Sequence, residues 1–308
     1  MELRSLRYFV AVAEELNITR AAEKLSMAQP PLSAQMHSLE EELGVTLFIR
    51  GKRRLTLTPE GEVMLQRARQ ILELVQKTRA EVSSMEDGLS GMLYISMVEG
   101  SAPGLVADWI SGFREEFPRV QYNLWNGSSD EVTDRLCKGL ADVGVVVEPY
   151  DNVALEGLPV ASMPWVAMIP AAHPLAAAPG QPLPLAGLAG ESLILPARKS
   201  RVQEIYSWFE GIGETPKVLC EMSNFLDAYT LVQRGVGICI FPQTLGAGSE
   251  AGSGVIYRPI AEPAHYARYV LGWARGRSPG PLAEEFIQFV QDSLQARLER
   301  QARAQENT

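Results

Sequence analysis

The chain has 308 residues, of which 46% are hydrophobic and 21% charged, the balance of an ordinary globular protein with length for about two domains. The net charge of −9 excludes a protein whose whole surface is basic, so any contact with nucleic acid must come from a local basic patch. With only three cysteines, the chain cannot form a disulfide framework. The sequence shows no apolar run long enough to cross a membrane and no export signal at its start. We therefore expect a cytoplasmic protein without a membrane partner.

Charge is distributed unevenly along the chain. Residues 1–60 carry eight basic and eight acidic side chains, so the negative charge lies further on. Four of those eight cations fall within five residues, namely Arg50, Lys52, Arg53 and Arg54. Such a cluster is a candidate for contacts with nucleic-acid phosphates, although it is also typical of a solvated turn.

The first sixty residues predict three helices and a hairpin. Apolar residues at helical spacing predict a helix over 3–15, and an alanine-rich segment after Asn17 predicts a short second one. Pro30 and Pro31 mark the start of a third helix, because proline is tolerated where the first N–H groups lack intrahelical partners. Gly44 ends that helix. Two apolar segments, 45–49 and 55–57, then flank the basic cluster as strands flank a hairpin tip.

This order of elements predicts a winged helix-turn-helix. The third helix would turn Leu32, Met36 and Leu39 inward and place its start in the DNA major groove. There the Gln29 amide suits adenine, and the Ser33 hydroxyl suits a phosphate or a base edge. The hairpin cations would reach the backbone or the minor groove. A small helical packing module is the alternative. The predicted DNA-binding residues are Gln29, Pro30, Pro31, Ser33, Ala34, His37, Arg50, Arg53 and Arg54.

These residues belong to a longer ordered pattern that resembles the DNA-binding domain of LysR-type transcriptional regulators. It consists of LRYFVAVA at 6–13, AAEKL at 21–25, QPPLS at 29–33, LEEELGVTLFIR at 39–50 and LTPEG at 57–61. The resemblance implies a sequence-specific bacterial regulator that binds double-stranded promoter DNA and is not an enzyme.

Three positions depart from the family pattern. Ala28 stands where the family often has a Ser or Thr that caps the third helix, a contact worth about 1 kcal/mol. Ala34 and His37 stand where the family often has basic residues. More of the DNA affinity is therefore expected from the hairpin cations.

A fourth helix is predicted from Thr58, a good N-cap, and Pro59 to a stop at 87–88. Its side chains form a heptad seam, which predicts a homodimer on a pseudo-palindromic site. A helix packed on its own domain is the alternative. The seam positions are Met64, Ala68, Ile71, Val75, Thr78, Val82 and Met85.

Strands and helices alternate after residue 91, which predicts an α/β fold with a parallel, doubly wound sheet in two successive units. Ligands bind beyond the carboxyl ends of such strands, which points to the loops 99–102 and 126–129. The predicted strands are 92–98, 120–125, 143–147, 164–170, 193–196, 217–220 and 237–242.

This part resembles the LysR-type effector domain at Gly139–Val147, at His173-Pro174-Leu175, and at 232–237 with Pro242. The resemblance implies a periplasmic-binding-protein-like domain of two α/β lobes, with an inducer between them. We expect a winged helix-turn-helix over 1–58, a linker and dimerisation helix over 59–89, and an effector-binding domain over 90–308. Within that domain, lobe one is expected at 90–162 and 266–308, and lobe two at 163–265.

The same resemblance places effector contacts on both lobes. Ser101 and Ser128 can hydrogen-bond a carboxylate and Arg201 can pair with one, although the serines also fit helix caps and Arg201 fits a surface residue. Glu99 would repel an anion, or instead indicates a neutral polar or amine-bearing ligand. The implied contacts are Ser101, Ala102, Ser128, Pro196, Arg198, Arg201 and Phe225.

The sequence shows no metal-ligand spacing among its Cys and His residues and no nucleophile motif, so we expect no cofactor beyond a small-molecule effector of unknown identity. The resemblance further implies a homotetramer built as a dimer of dimers, and we expect RNA polymerase as a partner. The alternative function is a small-molecule binding protein or enzyme whose N-terminal module mediates association without DNA.

Overall fold

The computed structural model describes residues 1–51, 55–83, 89–243 and 254–306, which form two compact units, Met1–Asp87 and Gly88–Thr308. The first unit confirms the predicted helices and hairpin. Its elements are α1 (Leu3–Glu15), α2 (Ile18–Lys24), α3 (Gln29–Leu43), β1 (Phe48–Arg50), β2 (Leu55–Leu57) and α4 (Pro59–Ser83). Strand β1 begins later than predicted, because the Val45 N–H still bonds back to Glu40 O at 3.2 Å.

The core of the first unit forms between α1, α3 and the hairpin. Leu32, Met36 and Leu39 are buried, which confirms the predicted inward side of α3. Phe9 of α1 meets Phe48 of β1 with ring centroids 5.3 Å apart. Helix α2 contributes two buried alanines, whose small side chains let it lie close to its neighbours.

The LTPEG segment connects the hairpin to α4. The Thr58 hydroxyl donates to Thr46 O at 2.8 Å and accepts from the Gly61 N–H at 2.9 Å, so Thr58 caps α4 as predicted. A Cβ on residue 61 would lie 2.2 Å from Leu47 O. Glycine is therefore required at position 61 by close backbone approach.

The second unit contains the remaining elements. In chain order these are β3 (Gly91–Met97), α5 (Ala102–Glu116), β4 (Val120–Asn126), α6 (Ser129–Cys137), β5 (Val143–Val147), β6 (Leu155–Pro170), β7 (Leu183–Pro184), β8 (Ser192–Pro196), α7 (Lys199–Gly211), β9 (Lys217–Met222), α8 (Phe225–Gln233), β10 (Ile238–Pro242), β11 (Val255–Ala261), β12 (Tyr266–Ala274) and α9 (Pro281–Glu306). Within the described residues, no helix is both long and apolar enough to span a membrane.

The strands form two connected sheets. In the first, β4, β3 and β5 are parallel, and the sheet continues through antiparallel β12 to β6. In the second, β10, β8 and β9 are parallel, β6 and β11 are antiparallel neighbours, and β7 pairs with β11. The expectation of a wholly parallel sheet is therefore wrong for β6, β11 and β12.

Strand β6 runs through both sheets and is longer than the predicted 164–170. Pro164 pairs with Tyr266 of β12 in the first sheet, and the next residue, Trp165, pairs with Pro242 of β10 in the second. The chain thus passes between the two sheets at this point without leaving extended conformation. We call the part built on the first sheet lobe one and the part built on the second sheet lobe two.

Candidate DNA-binding surface and effector cleft

The start of α3 presents an exposed face. Gln29, Pro30, Pro31, Ala34 and His37 are exposed and Ser33 is half-buried, while the other side of the helix enters the core. None of the six predicted residues of α3 thus belongs to the buried side of the helix. Ala28 precedes this helix with no side-chain cap, as its sequence position predicts.

An open concave surface lies between α3 and the hairpin. It includes five of the six predicted residues of α3, with Pro31 outside it, and it adds three residues that the sequence did not single out. The lining consists of Gln29, Pro30, Ser33, Ala34, His37, Glu40, Thr46 and Phe48. Of these three, Glu40 belongs to α3 itself, whereas Thr46 and Phe48 enter because the segment after α3 folds back against the helix, which local periodicity does not reveal.

Glu40 fixes the hairpin against α3. Its Oε1 accepts hydrogen bonds from the N–H groups of Leu47 at 2.7 Å and Phe48 at 3.1 Å. These bonds to a charged acceptor stabilise the start of β1 and reduce the effect of a carboxylate inside a surface proposed to meet phosphates. His37 lies close by, with its Nε2 3.3 Å from Glu41 Oε1.

The hairpin places its tip between β1 and β2. Phe48 is opposite Leu57 and Arg50 is opposite Leu55, so the antiparallel register encloses residues 51–54. Arg50 ends β1, and its side chain is outside the described part of the chain. Arg53 and Arg54 lie outside the described residues altogether, so their predicted contacts stay predictions.

Helix α4 belongs partly to the core of its own unit. Ala68 is fully buried there, and Met64 packs against the same core. The predicted seam is therefore wrong at Ala68, where the alternative of a helix packed on its own domain holds, and Met64 is partly buried against the same core. Further on, Ile71 is 36% exposed and the Thr78 hydroxyl bonds to Leu74 O at 2.9 Å. The side chain of Val82 is not described, and Met85 lies outside the described residues.

Residues of lobe one meet lobe two at the start of α5. Ser101 is fully buried, and its hydroxyl donates to the carbonyl of Gln243. Its N–H donates to the Tyr269 hydroxyl at 3.4 Å. Ser101 therefore does not cap α5 with its side chain but joins the two lobes. Ala102, also fully buried, begins α5 beside it.

Ser128 has the capping role that its sequence allowed. Its hydroxyl accepts from the Glu131 N–H at 3.3 Å, and its own backbone N–H donates to Glu131 Oε2 at 2.8 Å, so the two residues form a capping box at the start of α6. The Ser128 hydroxyl also donates to Glu131 Oε2 at 2.8 Å.

Arg201 is a buried cross-lobe residue. Only 5% of it is exposed, so the surface alternative is wrong. Its Nη1 donates to Glu204 Oε2 at 2.5 Å, its Nη2 donates to the carbonyl of Glu148, and its guanidinium lies 5.4 Å from the Trp165 ring centroid. The charge of Arg201 is thus already balanced by protein groups.

Arg198, in lobe two, also contacts lobe one. Its Nη2 donates to Asp130 Oδ1 at 2.7 Å and to Pro149 O at 3.0 Å, both in lobe one. Pro196 ends β8 on the same side, and Phe225 begins α8, with its side chain outside the described part. Sequence reasoning missed Asp130, which lies 68 residues from Arg198 and carries no motif of its own.

Glu99 of lobe one also contacts lobe two. Its Oε1 accepts a hydrogen bond from Asn224 Nδ2 at 3.2 Å, which adds another contact between the lobes. Its carboxylate is therefore held by a donor from the opposite lobe.

A winged helix-turn-helix with an exposed α3 face, followed in the same chain by a two-lobed α/β unit, defines a DNA-binding regulator with a ligand-binding domain. Two family models match this division: "Bacterial regulatory helix-turn-helix protein, lysR family" over residues 3–62, and "LysR substrate binding domain" over residues 86–295. The chain belongs to the LysR family of bacterial transcriptional regulators. Accordingly it is a DNA-binding regulator of transcription and not an enzyme.

The chain is similar, over nearly its whole length, to proteins that are described as transcriptional regulators. The chain is 32% identical to the HTH-type transcriptional regulator AlsR of Bacillus subtilis, over 93% of this chain and 94% of AlsR. It is 33% identical to the Hca operon transcriptional activator HcaR of Escherichia coli, over 96% and 98% of the two chains. Among solved structures, full-length CbnR complexed with its target DNA matches with a TM-score of 0.78 and 25% identity, over 95% of this chain and 100% of that one.

Proposed function

We propose that the chain binds promoter DNA as a symmetric dimer, with α3 in the major groove and the hairpin on the phosphate backbone or in the minor groove. The observation that carries this proposal is the exposed start of α3 beside a hairpin whose tip includes three consecutive cations. Gln29, Pro30, Pro31, Ser33, Ala34 and His37 form the groove-facing surface, and Arg50, Arg53 and Arg54 neutralise phosphates.

A small-molecule effector is proposed to bind between the lobes. Support comes from the cross-lobe contacts of Ser101, Arg198 and Arg201, because a molecule inserted there must change them. It acts only through a difference in affinity between two lobe arrangements, which alters how protomers pack and how the DNA is bent. The proposed contacts are Ser101, Ala102, Ser128, Pro196, Arg198, Arg201 and Phe225.

The remaining partners follow from membership of a transcriptional regulator family. We propose a dimer of dimers in the cytoplasm that contacts RNA polymerase at the promoter. Residues 1–58 would bind DNA, 59–89 would link and dimerise, and 90–308 would bind effector, with lobe one at 90–162 and 266–308 and lobe two at 163–265.

A pair of variants tests the assignment of roles on DNA. Gln29→Ala should relax base choice, because it removes a bidentate base contact worth about 1–3 kcal/mol of discrimination. Arg53→Ala should weaken binding to every duplex similarly, because a phosphate contact carries no sequence information. Gel shifts with the upstream DNA of the chain's own gene and with a shuffled duplex measure both effects.

The salt dependence of DNA binding distinguishes the loss of a phosphate contact from the loss of a base contact. Six phosphate contacts per dimer give a slope of about −5 in log affinity against log salt. Arg53→Ala should reduce this slope, whereas Gln29→Ala should leave it unchanged. If both variants bind both duplexes as the wild type does, the assignment of roles is refuted. If the wild type forms no specific complex, the function of an association module is favoured instead.

A further inference from the structure

The guanidinium of Arg198 is only partly used. Its Nη2 donates to Asp130 Oδ1 and to Pro149 O, at 2.7 and 3.0 Å. Its Nε and Nη1 are buried and, within the described residues, have no hydrogen-bond partner. The same holds for the buried hydroxyl of Ser200, two residues on. Polar donors buried without acceptors are costly, which indicates that an acceptor is missing here.

The geometry of the guanidinium limits how a carboxylate can bind to Arg198. A guanidinium offers two edges to a carboxylate, one formed by Nε and Nη2 and the other by Nη1 and Nη2, so Nη2 belongs to both. Because Nη2 is shared by Asp130 and Pro149 O, each edge is half occupied. A carboxylate can make its two parallel bonds to Arg198 only if one of these acceptors leaves.

Asp130 is the acceptor able to leave. Its side chain is 76% exposed, whereas only 16% of the Arg198 side chain is exposed. A carboxylate that moves into water regains its hydration, while the carbonyl of Pro149 is fixed by the backbone. A second carboxylate beside Asp130 would also repel it, because two like charges share one counter-charge.

We propose that Asp130 occupies the place of the effector's carboxylate in the unliganded protein. This inference rests on the proposed effector site and gives its chemistry: the effector carries a carboxylate that displaces Asp130 from Arg198 and binds both nitrogens of one edge, with Ser200 as a further donor. Binding thereby breaks an ion pair between the lobes, which couples the ligand to the lobe arrangement.

The full-length chain allows a test without knowledge of the effector, with acetate as the probe. Asp130→Ala vacates the acceptor position, so 50 mM sodium acetate should raise its melting temperature by about 2–4 °C. The wild type should gain less than half of this, because Asp130 competes. Acetamide and sodium chloride at matched concentration and ionic strength should produce no comparable rise.

Three variants complete the design. Asp134→Ala removes another carboxylate of α6, one that pairs with Lys138 at 2.5 Å, and should respond to acetate as the wild type does. Asp130→Asn keeps the side-chain shape and should respond more than the wild type. The double variant Asp130→Ala with Arg198→Gln should lose the response.

An equal acetate response in wild type, Asp130→Ala and Asp134→Ala overturns the proposal, and so does a response that survives in the double variant or an absence of response in Asp130→Ala. A failure here with an intact wild-type gel shift on upstream DNA overturns only this inference. Loss of the gel shift itself overturns the proposed function.

Discussion

The protonation of His265, which lies near the crossing between the lobes, depends on how its ring is packed. Its ring stacks on Trp208, with centroids 3.9 Å apart and planes 14° apart, and Trp208 in turn meets Trp165 edge-on at 5.0 Å. Within the described residues, its buried Nε2 has no hydrogen-bond partner. Burial lowers the pKa of His265 below its ordinary value, while the Glu204 carboxylate acts in the opposite direction.

This environment predicts a pH dependence of stability. Because the pKa of His265 is lower in the folded protein, the unfolded chain binds the proton first as the pH falls below about 6.5. Stability should therefore decrease from pH 7.5 to pH 5.5. His265→Phe keeps the stack but cannot titrate, so its melting temperature should fall less over this range. Identical pH slopes for His265→Phe and wild type, measured by circular dichroism, would show that His265 does not titrate as described.

At the scale of the element, sequence periodicity predicts those features that a single helix determines by itself, namely its bounds and its buried and exposed sides. The bounds of α1 and the inward side of α3 follow from apolar spacing, and the exposed positions of α3 follow from the same count. The sequence predicts only residues 164–170 of β6 and neither β11 nor β12, because Pro159, Pro164, Pro259 and Gly272 lie within these strands and argue locally against strands. Their neighbours supply the pairing that the local sequence does not predict.

The residues of the candidate sites also fall into two groups, those that a local pattern identifies and those that only tertiary contacts bring together. Gln29 and Ser33 are accessible from one helical face, so a pattern identifies them. Asp130 meets Arg198, and Ser101 meets Gln243, only after two lobes have folded against each other. Such contacts join distant parts of the sequence, and no local spacing indicates them.

Helix α4 packs on its own unit along its first half. Arg69 bonds to Glu14 of α1 at 3.1 Å, and this bond to Arg69 is the main cause that lowers the pKa of Glu14. Ala68 is buried beside it in the core. The first half of α4 is thus attached to its own unit, which leaves the region from Ile71 onward as the described part available for dimer contacts.

Ile71→Glu should therefore weaken the dimer, because it places a charge in the seam. We expect the dimer dissociation constant to rise at least about tenfold, equivalent to about 1.4 kcal/mol, in sedimentation velocity. Val63→Glu is the matched control, since Val63 is 59% exposed on the same helix and lies off the seam. An equal loss in both variants, or none in Ile71→Glu, would contradict the seam.

At the scale of the whole molecule, the distribution of charge supports the proposal that the N-terminal part binds DNA and the remainder binds the effector. The first sixty residues are electrically balanced, whereas the whole chain carries −9. The acidic remainder disfavours indiscriminate attachment to DNA, which fits the proposal that DNA affinity comes from the α3 surface and the hairpin cations. In this proposal a few residues of α3 set the DNA specificity, and Glu40 and the hairpin register fix the hairpin beside them.

A DNase I footprint of the full chain on the DNA upstream of its own gene tests the central claim most directly. We predict a protected pseudo-palindromic site with two half-sites on one face of the duplex, about one helical turn or a multiple of it apart. In Gln29→Ala this protection should no longer distinguish the site from flanking DNA. Uniform or absent protection by the wild type, at concentrations where it is folded and dimeric, would contradict α3 as the element that reads DNA.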